Sequence, residues 1–520
     1  MTYFINKKIL SNSFTEAYNS EFFVDKSKII EKLNKQIKTS GKFLCITRPR
    51  RFGKTINAMM LEYYYSKNVN SKDTFDKLNI SKCKSYEEHL NKYNVVYITF
   101  SNPVNRGNTY NEYIDGFYNQ LVDDLEELYN IEIDRNCKIG KIFEDIYIKY
   151  NESFIFIIDE WDYIFSRQLF TEQDRDNYAE FLRDLLKDKP YVDLCYMTGV
   201  LPIAKYSTGS ALNMFDECTF LNDIEYYNFY GFTTEEVENL CKKQDKLSMD
   251  ELREWYDGYK IQGIDLYNPR SVVYALRKGF CQSYWTSTGP MDEILYYIKS
   301  NISQVKNDVI QMVSEVPVEI TLTSYSTEKL SLETKEQIFS MMTIYGFLTY
   351  HDQLLEIPNK ELMLKFNEAI KDDCMDEISR LVLQSNDMLK ATLNKDTEKM
   401  AEIIQEAHDI NIPMINYNNE NSLACVIALV YLNARNYYHI VREMPSGIGF
   451  ADFIFYSRDK SKPSFIVELK YNSTAQKALD QIFEKRYDQA LKNYPGEKLA
   501  IGISYDSKNK KHDILIKTFL

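Results

Sequence analysis

Phe43-Leu-Cys-Ile-Thr-Arg-Pro-Arg-Arg-Phe-Gly-Lys-Thr55 decides how the chain is read. Phe43 to Ile46 are a short, mostly apolar run of the kind that makes a buried strand. A tight loop follows, and Gly53-Lys54-Thr55 opens a helix through Ile56, Met59, Met60 and Leu61. Strand, loop with Gly-Lys-Thr, helix is the order a phosphate-binding loop requires. Gly53 lets the backbone approach phosphate, and the first amides of the helix point at the anion. Lys54 can reach the β- and γ-phosphates, and the Thr55 hydroxyl can ligate Mg²⁺. The usual pattern has a glycine five positions before Gly53, where this chain has Arg48. Standing alone, the tripeptide is also compatible with a basic turn before an amphipathic helix.

A second stretch weighs against that plainer reading. About 105 positions beyond Lys54, Ser153-Phe-Ile-Phe-Ile-Ile-Asp-Glu160 is an apolar strand ending in two acids. It reads as the complementary half of such a site, in which Asp159 would hold Mg²⁺ through water and Glu160 would polarise the attacking water; a core strand ending at solvent with two acids is the alternative. Val192–Gly199 reads as a further buried strand, and Thr198 at its end is a candidate sensor of the γ-phosphate; a turn-forming Thr-Gly is the alternative. Asn94–Phe100 alternates and is β-rich, while helices are expected over about 27–38, 110–129 and 174–186. Strands alternating with helices indicate a parallel sheet with its ligands at the carboxyl ends of the strands, where these site residues lie.

At 520 residues the chain exceeds one core, and 44% hydrophobic with 27% charged residues is ordinary for a globular protein. No apolar run spans a bilayer, and the N-terminus lacks the apolar core of a signal peptide. Nine cysteines without a Cys-x-x-Cys pair fit reduced thiols in a cytoplasm. A net charge of −13 argues against indiscriminate coating of nucleic acid. Over residues 440–520, however, Lys and Arg exceed Asp and Glu by 14 − 10 = 4. Farther back, a helix from about Gln337, then Gly346-Phe-Leu-Thr-Tyr350, a polar turn and Leu354–Asn359 are compatible with a winged-helix-like module. It has few basic residues, so a structural role is favoured over DNA reading.

The C-terminal region carries a second constellation. A buried helix is expected from about Glu420 to Asn433, followed by Tyr437–Glu443, Gly449-Phe-Ala-Asp452-Phe-Ile-Phe455, Ser464-Phe-Ile-Val-Glu468-Leu-Lys470 and a helix over 474–491. The period of two puts Glu468 and Lys470 on one face of a strand, and Asp452 is expected to begin a neighbouring one. Asp452 and Glu468 could then converge on one divalent ion, which would activate water at a phosphodiester, with Lys470 orienting water or neutralising developing charge. Glu-x-Lys alone is a weak signal, and two edge strands with solvated charges are the alternative.

The run Thr47–Thr55, preceded by Phe23-Val-Asp-Lys26, resembles the prokaryotic AAA-ATPase-like family, whose members typically carry a PD-(D/E)xK nuclease-like domain at the C-terminus. The resemblance covers most of the chain. It implies that Arg48 is the family's own form of the loop and that Asp162 belongs to an extended acidic motif. It also implies that Trp255–Tyr259, Leu266–Pro269 and Tyr284–Gly289 are lid segments, their aromatics packing residues. Gln481 resembles the family's helical glutamine, and Glu420 an additional carboxylate. The chain is therefore expected to be α/β, with an ATPase core over 1–235, a helical lid over 236–300, a helical or winged-helix-like middle over 301–410 and a restriction-endonuclease-like domain over 411–520. The implied activity is ATP- and Mg²⁺-dependent action on nucleic acid, DNA ahead of RNA, in the cytoplasm and away from membranes, with a homo-oligomer left open. The alternative is an NTPase switch whose C-terminal domain binds nucleic acid or a partner without cutting.

Overall fold

The Phe43 run becomes β1 (Phe43–Thr47), buried at every position, and Lys54 opens α1 (Lys54–Tyr65). The computed structural model that contains them describes residues 3–7, 9–103, 109–167, 169–203, 211–261, 263–285, 305–313, 315–322, 332, 334–372, 376–409, 420–446 and 448–519. The chain divides into two units: Met1–Met291 with Glu319–Leu362, and Asp292–Val318 with Met363–Leu520. The stretch 301–410 is thus shared between them.

In the first unit, β2 (Asn94–Thr99), α2 (Tyr110–Tyr129), α3 (Ile139–Tyr150), β3 (Phe154–Asp159), α4 (Glu172–Leu186), β4 (Val192–Gly199) and β5 (Asp216–Cys218) follow. The sheet order is β2-β3-β4-β1-β5, and every pairing is parallel. The continuous apolar runs of β1, β3 and β4 are buried on both faces, which is why they do not alternate. Parallel neighbours need crossovers, and Thr109 and Thr171 start two of the connecting helices with reciprocal side-chain caps. The register sets Ile46 beside Thr198 and Thr99 beside Asp159, aligning the strand ends from which the loops rise. The helix expected over 27–38 is only Ile29–Asn34; turns carry the chain from Lys35 to Lys38, which has φ +61°.

Beyond the sheet come α5 (Pro269–Lys278), capped by the Asn268 side chain, then α6 (Lys335–Tyr345), β6 (Thr349–His351), β7 (Leu354–Glu356) and α7 (Lys360–Asp372). The last three and α6 give the helix, hairpin, helix order read from the sequence. Tyr256, Tyr259 and Tyr267 are buried packing residues. Thr286–Gly289, the end of the third aromatic segment, lie outside the described residues.

The second unit contains α8 (Asp376–Leu393), α9 (Thr397–Asp409), α10 (Glu420–Val430), β8 (Tyr438–Ser446), β9 (Gly449–Ser457), β10 (Ser464–Tyr471), α11 (Ala475–Glu484), β11 (Lys498–Asp506) and β12 (Lys511–Phe519). The strands pair in that order, antiparallel except for parallel β10–β11. Alternation splits the sheet between two cores. Phe465, Val467 and Leu469 pack with α8, α9 and α10, whereas Ile466 packs with Leu479 and Ile482 of α11. The expected helices 420–433 and 474–491 are each shorter, their last turns being 3₁₀ segments at Leu432–Asn436 and Tyr487–Leu491. No helix among the described residues is long and apolar enough to cross a membrane.

Candidate functional site

At the carboxyl end of β1, Gly53 has φ +91°, and nothing lies within 4 Å of where a Cβ would stand. The glycine is needed for its backbone conformation, and the space before it is open. Lys54 is buried, its Nζ donating to the carbonyls of Arg48 and Pro49 at 2.8 Å each. Burial pulls its pKa down to about 8, against the pull of Asp162, Asp159 and Glu160. Asp159, also buried, is pushed up to about 6 by burial; the Thr55 hydroxyl hydrogen-bonds its carboxylate, and the Glu160 amide donates to it at 3.0 Å. Thr55, Asp159 and Lys54 are therefore gathered at one place from two strands that β4 separates.

Glu160 is exposed and holds φ +52°, a left-handed conformation at the end of β3. Asp162 is buried and accepts the amides of Val200 and Leu201 at 3.0 and 2.8 Å, tying the turn after β3 to the end of β4. The Thr198 hydroxyl donates to the Ile46 carbonyl at 2.9 Å, so it bonds to β1 across the ladder. Arg48 turns inward, fully buried. Its guanidinium donates to the carbonyls of Thr47 and Cys218 at 2.7 and 3.0 Å, pairs with Asp223, and lies 5.1 Å over the Tyr230 ring. Removing one partner of such a buried pair strands the other charge, typically at about 3–5 kcal/mol. Arg48 thus anchors the start of the loop. Asp223, the residue that explains it, lies 175 positions away and gives no local sequence signal.

The second acidic centre forms where the other sheet splays. β9 and β10 pair as far as Phe453 and Val467, and the ladder stops there. Asp452 is the fourth residue of β9, not its first as expected, and its carboxylate accepts the Leu469 amide at 2.7 Å in place of a ladder partner. Glu468 is 2% exposed; Gln481 of α11 donates to its Oε1, while its Oε2 has no hydrogen-bond partner among the described residues. The Lys470 ammonium lies 3.5 Å from Glu468 Oε1 and 3.4 Å from Glu420 Oε1, and donates to the Leu469 carbonyl at 2.9 Å. Burial pushes Asp452 up to about 6. Burial and then the charge of Asp452 push Glu468 up to about 8. All five predicted residues of this centre converge. A buried carboxylate oxygen without a partner is costly unless something cationic meets it, which fits a divalent ion at this point. Among the described residues no group of three or more His, Cys, Asp or Glu is placed to hold a metal, so water or substrate oxygens would complete the shell.

Residues 11–208 match the family described as Predicted AAA-ATPase, and residues 418–513 match the PD-(D/E)XK nuclease superfamily. The chain joins an AAA-ATPase-like domain to a PD-(D/E)XK-superfamily domain. Both centres fall inside those ranges. A curated relative, "Uncharacterized protein in vnfD 5'region" of Azotobacter chroococcum mcd 1, is 22% identical over 396 residues, covering 72% of this chain and 71% of the relative. Among solved structures, the Aeropyrum pernix ORC2 protein (ADPNP-ADP complexes) is 10% identical at a TM-score of 0.33, covering 70% of this chain and 95% of that one. A Walker-type ATPase of Pyrococcus abyssi is 12% identical at a TM-score of 0.33, covering 66% and 94%.

Proposed function

We propose that the protein binds and hydrolyses ATP in its N-terminal domain and cuts nucleic acid, DNA ahead of RNA, in its C-terminal domain. On this reading, Lys54 exchanges its bonds to the Arg48 and Pro49 carbonyls for the β- and γ-phosphates, and Gly53 and the α1 amides line the anion's path. Thr55 and Asp159 would hold Mg²⁺, which when bound neutralises phosphate charge. Glu160 orients and polarises the attacking water, and Thr198 stands at the neighbouring strand end. On the same reading the chain divides by function into a core to 235, a lid to 300, a middle to 410 and a nuclease-like region to 520, and acts in the cytoplasm.

In the C-terminal centre, Asp452 and Glu468 would hold the divalent ion, whose chemistry is activation of water and stabilisation of phosphoryl charge. Gln481 fixes the Glu468 carboxylate, and Lys470 holds its ammonium near the oxygens that gain charge. The observation that carries the nuclease reading is the unpartnered Glu468 Oε2 beside Asp452. The test is cleavage of plasmid and single-stranded DNA and of RNA with Mg²⁺ or Mn²⁺, with and without ATP. Metal-dependent cutting lost in Asp452→Ala is expected. ATP turnover with nucleic-acid binding but no cutting under any metal would leave the switch reading instead.

A further inference from the structure

The loop carbonyls are engaged one after another. Lys54 takes those of Arg48 and Pro49, and the Arg50 carbonyl accepts the Trp285 indole N–H at 3.1 Å, with the Asn268 amide at 3.5 Å. Trp285 is 5% exposed, and its ring meets Phe347 edge-on at 5.0 Å. Just before Phe347, Gly346 has φ +83°, and a Cβ there would come within 2.6 Å of Pro49 Cβ, so the turn after α6 lies directly on the loop. Trp285 is itself held from behind. The Glu361 carboxylate, 2% exposed, accepts the amides of Tyr284 and Trp285 at 2.5 and 2.7 Å and the Ser271 hydroxyl at 2.8 Å.

We propose that Trp285 is a positioning residue for nucleotide binding: its indole N–H holds the Arg50 carbonyl, and Glu361 holds Trp285. The inference rests on the reading of residues 47–55 as an ATP-phosphate loop. When Lys54 turns to phosphate, the carbonyls of Arg48 and Pro49 give up their donor, and the Arg50 carbonyl, held by Trp285 with Asn268 farther off, is the one of the three that keeps its donors. The Trp285 bond keeps the loop in its binding shape during the exchange. Glu361 is a buried carboxylate bound through neutral donors, an arrangement that burial alone would disfavour. Its three donors belong to the segment carrying Trp285 and to the first turn of α5, so its position specifies that segment.

The test is ATP affinity and steady-state turnover of the full chain in Trp285→Phe, which keeps the ring against Phe347 and removes the donor, and in Glu361→Gln, which is isosteric. Removing a hydrogen bond in this range corresponds to about three- to tenfold weaker ATP affinity. That weakening, with kcat within about twofold and with the double variant no weaker than the poorer single one, is expected. A purely structural role would lower the active fraction, and so kcat, leaving the KM of the surviving molecules unchanged. Should Trp285→Phe fail to fold, Glu361→Gln carries the same KM-against-kcat test. ATP affinity equal to the parent's in a folded variant overturns the proposal if Lys54→Ala abolishes binding. Equal binding by the parent and Lys54→Ala overturns the loop reading itself.

Discussion

Asp159 and Asp452 are alike in being aspartates beside a lysine and pushed up to about 6 by burial. They are held in opposite ways. Asp159 ends an unbroken parallel ladder, and its lysine arrives from a loop on a strand that is not its neighbour. Asp452 sits inside its strand, where pairing to the next one stops, and Lys470 follows Glu468 on that next strand. The first centre is built from strand ends, loop carbonyls and helix amides, the materials of an anion site. The second is built from side chains filling a gap in a sheet. The difference predicts where each tolerates change: the first should depend on loop shape, the second on a few carboxylate oxygens.

The largest effect expected is from Lys54→Ala, which removes the lysine of the Gly-Lys-Thr motif. ATP affinity in a direct binding measurement should fall by about a hundredfold or more, as expected when a charged hydrogen-bond donor is deleted from a desolvated site. Retained affinity would make the two centres less alike than they look. Asp452→Ala should abolish any cutting and weaken Mn²⁺ binding while leaving ATP hydrolysis within about twofold, because the two centres belong to separate units. Loss of both activities together would show that the units do not fold or work independently.

A pH series sharpens the comparison on the metal side. With Asp452 raised to about 6 and Glu468 to about 8, the apo centre keeps the Glu468 proton at neutral pH and gains that of Asp452 toward pH 6, and a divalent ion must displace them. Mn²⁺ affinity should therefore rise as pH goes from 6 to 8, by about tenfold per unit where one proton is released. Glu468→Gln should flatten that slope as well as weaken binding. A titration with no pH dependence over this range would mean that the metal is held elsewhere.

The parts of each centre that follow from period and motif were legible in the chain. The β1 loop, the Asp159-Glu160 strand end and the Glu468/Lys470 pair depend on spacing within one strand or helix, which sequence records, and Asp452 lies on the strand that precedes that pair in the chain. Alternation along β10 explains why Glu468 faces α11 and Gln481 while Leu469 enters the other core. The partners that hold these groups in place were not legible. Asp223 meets Arg48 across 175 positions, and Trp285 meets Arg50 across 235, in each case through tertiary packing that no local pattern encodes. Helix ends were overrun for a related reason: the apolar period continues into 3₁₀ turns at Leu432–Asn436 and Tyr487–Leu491, where hydrogen bonding changes but burial does not.

The smallest expected effect concerns whether the two centres communicate. The chain passes between the units three times, at 291/292, 318/319 and 362/363. The last passage runs within α7, a helix from Lys360 to Asp372 whose first turn contains Glu361. Helical linkers are semi-rigid spacers, whereas Gly/Ser-rich ones behave as flexible coils. Coupling still requires that ATP bind two arrangements of the chain with different affinity, and typical coupling energies are about 1–3 kcal/mol. Glu160→Gln should retain ATP and slow its hydrolysis, which fixes the bound state for measurement. Its nuclease rate with ATP should differ from that of the nucleotide-free protein by about fivefold or more, and Glu361→Gln in the same background should reduce the difference. Identical rates in the two states, with ATP binding verified, would leave two independent activities on one chain and confine Glu361 to the nucleotide side.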